Sequence, residues 1–218
     1  MLNRDDLALK VAEFLLQIKA IQVKPNAPFT WASGLRSPIY CDNRKTLSHP
    51  NIRTFMRQEM TRLVETTWGI PDAVVGVATG GIAQGVLVAQ ELGVPFAYVR
   101  AEAKGHGLGN RIEGELSEGQ RVIVVEDLIS TGKSSLDAVA ALRAVNIKVE
   151  GMVAIFTYGQ RIAEENFSNA QVELSTLCDY PHLIEQAIKL GYVEADQQES
   201  LIQWRRDPKA WSDAIPVS

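Results

Sequence analysis

The sequence is poor in cysteine, poor in histidine and without a long apolar run. Its two cysteines, Cys41 and Cys178, lie far apart and have no metal-type spacing, which excludes a disulfide scaffold and a zinc cluster. Free thiols in a reducing cytoplasm are the simplest reading. No apolar segment approaches the roughly 18 residues of a membrane span. The first residues, Met1 to Asp6, lack the basic start and apolar core of a signal peptide. A soluble, cytoplasmic chain with no membrane partner is expected. A basic excess is also missing: the formal net charge is −4, against a nucleic-acid-binding surface. Neither low-complexity tracts nor internal repeats are visible, and Trp31, Trp68, Trp204 and Trp211 show no stacking array.

What remains is ordinary globular composition, 46% hydrophobic and 22% charged over 218 residues, enough for one domain with a sizeable core. Asn3 is placed to cap a first helix carrying Leu7, Val11, Phe14, Leu15 and Ile18 at helical spacing. A turn-rich stretch runs from Lys24 to Ser48, where Ser48 and Pro50 predict the start of a second helix. From residue 72 strands and helices alternate. Strands are expected at 73–77, 96–99, 122–125 and 149–156, helices at 82–92 and 135–145, and a long hydrophilic loop over 101–118. After Thr157 the pattern weakens to a strand near 172–177, a helix over 180–190 and a helical tail at 195–213. Such alternation predicts an α/β fold with a mostly parallel central sheet flanked by helices.

Residues 121–135 carry most of the chemistry. An apolar, β-branched run, Val122 to Val125, reads as a buried parallel strand and ends in two adjacent acids, Glu126 and Asp127. Leu128 and Ile129 follow, then the hydroxyl-rich loop Ser130-Thr131-Gly132-Lys133-Ser134 and a helical pattern. Open α/β sheets bind ligands at the carboxyl ends of their strands. Two acids placed there suit sugar hydroxyls or a Mg2+ water shell, and loop amides at a helix N-terminus suit a phosphate. Asp and Ser as mere helix caps are the bland alternative, but that leaves the paired acids unexplained. A Walker A loop is excluded, because its first glycine would fall at Asp127.

Two further segments fit an anionic ligand. Val75 to Gly81 runs from a strand into a glycine-rich turn whose amides could approach a pyrophosphate, or form only a tight turn. Arg100, Lys104 and His106 lie in a glycine-rich stretch that could close over a ligand or simply be solvated. His49 and His182 read as structural.

The apolar strand, two acids, two spacers and Ser-Thr-Gly-Lys-Ser resemble the fingerprint of the type I phosphoribosyltransferases. Phe29-Thr30-Trp31-Ala32-Ser33-Gly34 with Ser37-Pro38-Ile39-Tyr40, and Arg100-x-x-x-Lys104-x-His106-Gly107, are similar to the branch of that family that uses orotate. The resemblance runs from about residue 10 to 160. It implies Mg2+-dependent transfer of ribose 5-phosphate from phosphoribosyl pyrophosphate to orotate, releasing pyrophosphate. It further implies that Glu126 and Asp127 hold the ribose hydroxyls with the substrate-borne Mg2+ nearby, without direct metal ligation by the protein. The segment Leu128 to Ser134 would bind the rest of phosphoribosyl pyrophosphate, Ser130 to Ser134 taking the 5′-phosphate. Arg100, Lys104 and His106 would close over the pyrophosphate, with Lys104, His106 and Asp127 as the catalytic groups, while Ser130 and Tyr40 would face orotate. A homodimer with shared active sites, and hood elements from about 1–45 and 160–218, follow from the same likeness.

The chain departs from the family pattern at Ala32 and Ala101, where many members carry Lys, at Tyr158, where several carry Arg, and at Lys133, where glycine is common. Two other readings stay open: a purine-type transferase sharing the same acids and phosphate loop, and a non-catalytic regulator that senses phosphoribosyl pyrophosphate. The segment from Ser33 to Tyr40 counts against the first, and the acidic balance and the Lys104-Gly105-His106 stretch against the second.

Overall fold

The computed structural model describes residues 3–31, 33–102 and 111–215. Helix α1 (Arg4–Gln17) is capped by Asn3, whose side chain accepts from the Asp6 amide at 2.9 Å. The turn-rich stretch contains four short strands, β1 (Ile21–Val23), β2 (Phe29–Thr30), β3 (Arg36–Ser37) and β4 (Ile39–Cys41). They pair antiparallel, β1 with β4 and β2 with β3. A 3-10 turn (Asn43–Ser48) leads into α2 (Pro50–Trp68). Because Ser48 closes that turn, His49 takes the N-cap position of α2 in its place.

The alternating region follows as β5 (Ala73–Val77), α3 (Gly80–Leu92), β6 (Phe96–Val99), β7 (Ile112–Glu113), β8 (Arg121–Ile129), α4 (Lys133–Arg143), β9 (Lys148–Thr157), α5 (Arg161–Asn169), β10 (Glu173–Asp179) and α6 (Tyr180–Lys189). Helices α7 (Gln198–Arg206) and α8 (Pro208–Ala214) form the tail. Six strands make one sheet in the order β10-β9-β8-β5-β6-β7, parallel throughout except at β7, which runs antiparallel to β6. After β5 the chain moves outward to β6; it then returns to the other side of β5 to lay down β8. The crevice between β5 and β8 is therefore the switch point at which open α/β sheets bind ligands.

Successive strand residues face opposite sides of a sheet, and the core divides accordingly. Val74, Ile123, Val125 and Val153 join α1, α2, α3, α6 and α7 in one cluster. Ala73, Val75, Val122, Val124 and Ala154 join α4 and α5 in the other. The N- and C-terminal segments meet over the first cluster. Trp204, fully buried, stands 5.4 Å from Tyr158, 5.4 Å from Tyr180 and 5.9 Å from Trp31, ring centre to ring centre. Arg36 donates to the carbonyls of Ser212, at 2.9 Å, and Ile215. His182 ties α6 to α1, with Asp179 at 2.6 Å and Asp5 at 3.5 Å.

The structure corrects several expectations. The acid-bearing strand does not stop at Val125 but runs to Ile129, still in register with β9 through Glu126, Leu128 and Ile129. Its side chains turn polar while its backbone ladder continues, so hydrophobicity alone ends it early. Helix α4 begins at Lys133, two residues before the expected Ser135. The expected loop over 101–118 contains β7, too short to alternate visibly. Helix α5, unseen in the sequence, buries only Ala163 and Phe167 and so carries little apolar signal. Trp31 and Trp204 do belong to an aromatic array, assembled from residues too distant in sequence to show a period.

Candidate active site

Adjacent residues of a strand leave it on opposite faces, so Glu126 and Asp127 reach toward different helices while their carboxyls stay close enough to influence each other. Glu126 turns toward α4. Its Oε2 accepts from Ser135 Oγ at 3.0 Å and its Oε1 from the Asp127 amide at 3.0 Å, and the residue is 5% exposed. Asp127 turns toward the start of α3. A Cβ built on Gly80 would lie 2.3 Å from the Asp127 carboxyl carbon, and one on Gly81 would lie 2.2 Å from the Val125 carbonyl oxygen. Only glycines let this turn approach β8 so closely.

Helix N-termini flank the two acids. Among the described residues, no side chain makes a capping bond at the start of α3, where Thr79 is the N-cap, or at the start of α4 after Gly132. Both helices leave first-turn amides pointing out with the positive end of the helix dipole, the usual setting for a phosphate. Gly132 has φ 77° and lies over Phe167, where a Cβ would come within 2.6 Å of the ring. The loop between strand and helix is held from below: Asn166 Nδ2 donates to the Thr131 carbonyl at 2.9 Å and the Tyr158 amide to the Ile129 carbonyl at 3.1 Å.

The electrostatics are unusual for carboxylates. Burial, then the neighbouring charge of Asp127, pushes the Glu126 carboxyl above the usual acid range. Burial also raises Asp127, against the opposing effects of its hydrogen bond to Glu126 and the charge of Arg44. Arg44 itself pairs with Asp42 at 2.7 Å. Two poorly solvated acids between two positive helix ends form a site that gains from hydroxyl donors, a cation and phosphates arriving together.

The sequence-predicted residues are placed as follows. Glu126 and Asp127 lie on β8, with Leu128 half-buried and the Ile129 side chain in the core, so only its backbone faces the loop. Ser130, Thr131 and Gly132 form the loop, and exposed Lys133 and Ser134 open α4. Tyr40, 38% exposed, is on β4 with its ring 5.7 Å from Phe29, over which Lys24 sits at 5.4 Å. Arg100 follows β6, donates to Glu113 at 3.4 Å, and its carbonyl accepts from Arg111 Nε at 2.8 Å. Lys104 and His106 lie outside the described residues, as does Ala32. Ser135, Asn43, Thr46 and Gln84 were not singled out by sequence reasoning. Each is a buried polar residue bonded at or behind the acids. The one available signal was Ser135 as a second serine in the opening turn of a helix.

The chain matches the Phosphoribosyl transferase domain over residues 46–181. It is 53% identical over 201 residues to an orotate phosphoribosyltransferase of Porphyromonas gingivalis, covering 92% of this chain and 96% of that protein. It is 56% identical to the enzyme of the same name from Bacteroides thetaiotaomicron, covering 92% and 94%. Among solved structures, orotate phosphoribosyltransferase from Aeropyrum pernix superposes with a TM-score of 0.73 at 30% identity, over 84% of this chain and 99% of that one. Leishmania donovani UMP synthase gives a TM-score of 0.76 over 91% of this chain and 42% of that one; at 23% identity this shows the fold alone. With matches this extensive, and with the acids of β8 set between two helix N-termini at the switch point of the sheet, the chain belongs to the phosphoribosyltransferase family and, within it, to the orotate phosphoribosyltransferases.

Proposed function

We propose that the crevice between β5 and β8 binds phosphoribosyl pyrophosphate and transfers its ribose 5-phosphate to orotate, giving orotidine 5′-monophosphate and pyrophosphate. The observation that carries this reading is the divergence of Glu126 and Asp127 between two uncapped helix N-termini. The α4 end, with Ser130 to Ser134, takes the 5′-phosphate. The α3 end, at Gly80 and Gly81, takes the pyrophosphate. A ribose spans the gap, its hydroxyls donating to the acids.

Transfer at C1 of the ribose loosens the bond to pyrophosphate, so positive charge builds on the ring as negative charge builds on the leaving group. The carboxylate of Asp127, with Glu126 beside it, answers the first charge. The helix amides, with Arg100, Lys104 and His106, answer the second. Orotate enters from the β4 side, where Tyr40 and Ser130 flank the base and align its nitrogen with C1. Of these groups, Lys104, His106 and Asp127 carry the catalytic assignment.

The residues present suit a Mg2+ ion that arrives on the substrate. Magnesium is commonly held by one or two carboxylates together with substrate phosphates and waters. Among the described residues, no three His, Cys, Asp or Glu side chains group as a metal site, and both Glu126 oxygens are already engaged. Asp127, with Glu126 beside it, would hold the ion's water shell. The ion, when bound, neutralises pyrophosphate charge.

The same reading includes a cytoplasmic homodimer in which Lys104 and His106 of one subunit serve the other's site, with hood elements at about 1–45 and 160–218 covering orotate. No helix among the described residues is long and apolar enough to cross a membrane. The test is the ultraviolet absorbance of orotate incubated with the protein, Mg2+ and phosphoribosyl pyrophosphate. Consumption requiring all three, reduced by about 10²-fold or more in Lys104→Ala, supports the reading. No consumption, with phosphoribosyl pyrophosphate still binding by calorimetry, moves it to a purine-type transferase or a ligand sensor.

A further inference from the structure

Behind the acids lies a chain of buried polar side chains that the reaction does not touch. Asn43, 1% exposed, donates from Nδ2 to the backbone carbonyl of Asp127 at 2.6 Å. Strand β5 pairs with β8 only as far as Val125, so Asn43 supplies a hydrogen bond to β8 beyond the last rung that β5 provides. The other side of the same amide, Oδ1, accepts from Cys41 Sγ at 3.3 Å, at the end of β4. Its carbonyl accepts from Thr46 Oγ1 at 2.6 Å, and Thr46 Oγ1 accepts from Gln84 Nε2 on α3 at 3.1 Å. Thr46 and Gln84 are 0% and 2% exposed.

A buried polar network costs stability wherever a member is left unmatched, and the Gln84 Oε1 has no partner among the described residues. An apolar core would avoid that cost, so the network's value lies in the geometry it fixes. Its three ends are the three parts of the crevice: β4 on the base side, Asp127 on the ribose side, and α3 on the pyrophosphate side.

We propose that Asn43 is a positioning residue that holds the backbone at Asp127 and, through Cys41 and through Thr46 with Gln84, keeps the base-side strand and the pyrophosphate-side helix in register with that acid. The proposal rests on the assignment of the crevice to phosphoribosyl transfer. Aspartate at 43 keeps the shape but sets an acceptor against the Asp127 carbonyl. Loss of an outer-shell partner that orients a metal ligand costs about 10- to 100-fold, and a loss of the same order is expected for Asn43.

The test is steady-state kinetics of the full chain for Asn43→Asp, Gln84→Leu and Cys41→Ala, with Trp68→Phe as control. Trp68 donates to Glu173 at 2.9 Å near the amino ends of the strands, far from the crevice. Asn43→Asp should lower kcat/KM by at least about tenfold at a temperature where it remains folded, raising KM for both substrates. Gln84→Leu should raise KM for phosphoribosyl pyrophosphate alone, and Cys41→Ala that for orotate alone. Trp68→Phe should lose melting temperature without changing either constant.

A folded Asn43→Asp with kcat and both KM values like those of the wild type would overturn the proposal. So would single-arm variants that raise both KM values together, and these decide the matter if Asn43→Asp does not fold. If the wild type consumes no orotate, the functional assignment fails, and calorimetry with phosphoribosyl pyrophosphate takes over. Weaker binding by Asn43→Asp then upholds the positioning role, and unchanged binding overturns it.

Discussion

Acids stand at both ends of strand β8 under opposite conditions. At the amino end, Asp72 accepts from the Arg121 amide at 2.8 Å and lies 3.4 Å from its guanidinium, while Glu150 stands 3.6 Å from the same group. This cluster is open to solvent, and the hydrogen bond from the Arg121 backbone, with its charge, holds Asp72 below the usual carboxylate range. At the carboxyl end, Glu126 is buried and Asp127 half-buried, both are raised by the loss of solvent, and neither makes an ion pair with a cation among the described residues. Acids that are exposed and paired are content without a ligand. Poorly solvated acids beside each other remain unfavourable until a ligand brings donors and positive charge, which marks the carboxyl end as the working one.

The strongest way to break this contrast is to neutralise one acid at each end. Asp127→Asn should lower kcat/KM by about 10²- to 10³-fold, the range seen when a preorganised electrostatic group is lost. Asp72→Asn should leave it nearly unchanged. Equal losses in orotate turnover would show that the two ends are not functionally distinct. Next in size is Gly80→Ala. Its Cβ would fall within 2.3 Å of the Asp127 carboxyl, so either the acid or the turn must move. A misplacement near 1 Å costs about 10²-fold in rate. Circular dichroism should show a folded protein, so the loss reads as geometry rather than unfolding.

Much of the contrast was legible in the sequence, because β-branched runs followed by acids and small hydroxylated residues have few other uses. The strands at 73–77 and 96–99 emerged with the expected bounds, since each short β-branched or aromatic run starts just after a proline and ends where polar or small residues begin. What stayed hidden depends on contacts distant in sequence. That Glu126 and Asp127 face opposite helices follows from strand alternation, but only once the strand is known to continue past Val125. The Asn43 bond to Asp127 spans 84 positions, and nothing in the residues near Asn43 announces it. Likewise, the ring cluster around Trp204 draws on α6, α7, Tyr158 just after β9 and Trp31 just after β2.

A smaller effect sharpens the comparison by pH. The Glu126 carboxyl binds its proton more tightly in the folded protein than in the unfolded chain, whose usual value is 4.5. Between that value and the raised one the folded state holds more protons, so stability falls as pH rises through this window. Glu126→Gln, which cannot ionise, should remove the fall and raise the melting temperature at neutral and alkaline pH, while lowering activity. For Asp72 the sign reverses: its depressed value contributes stability above the ordinary carboxylate pKa that is lost on acidification. Melting curves that slope the same way in Glu126→Gln and wild type would remove Glu126 from this account.

The smallest effect belongs to the amino-end cluster. Arg121 is about half exposed and its partners are similarly open, so water and salt screen the pairs. Such surface pairs contribute about 0–1 kcal/mol. Arg121→Ala removes both pairs but not the backbone bond from residue 121 to Asp72, which any side chain permits. Its melting temperature should therefore drop by only a few degrees, with the drop shrinking in high salt and with orotate turnover unaffected. Asp127→Asn, by contrast, should lose activity at every salt concentration, because a half-buried carboxylate facing a ligand is screened less than an exposed surface pair. Salt thus separates charges that serve the fold from charges that serve the ligand, and a salt-sensitive loss at Asp127 would place it with the first kind.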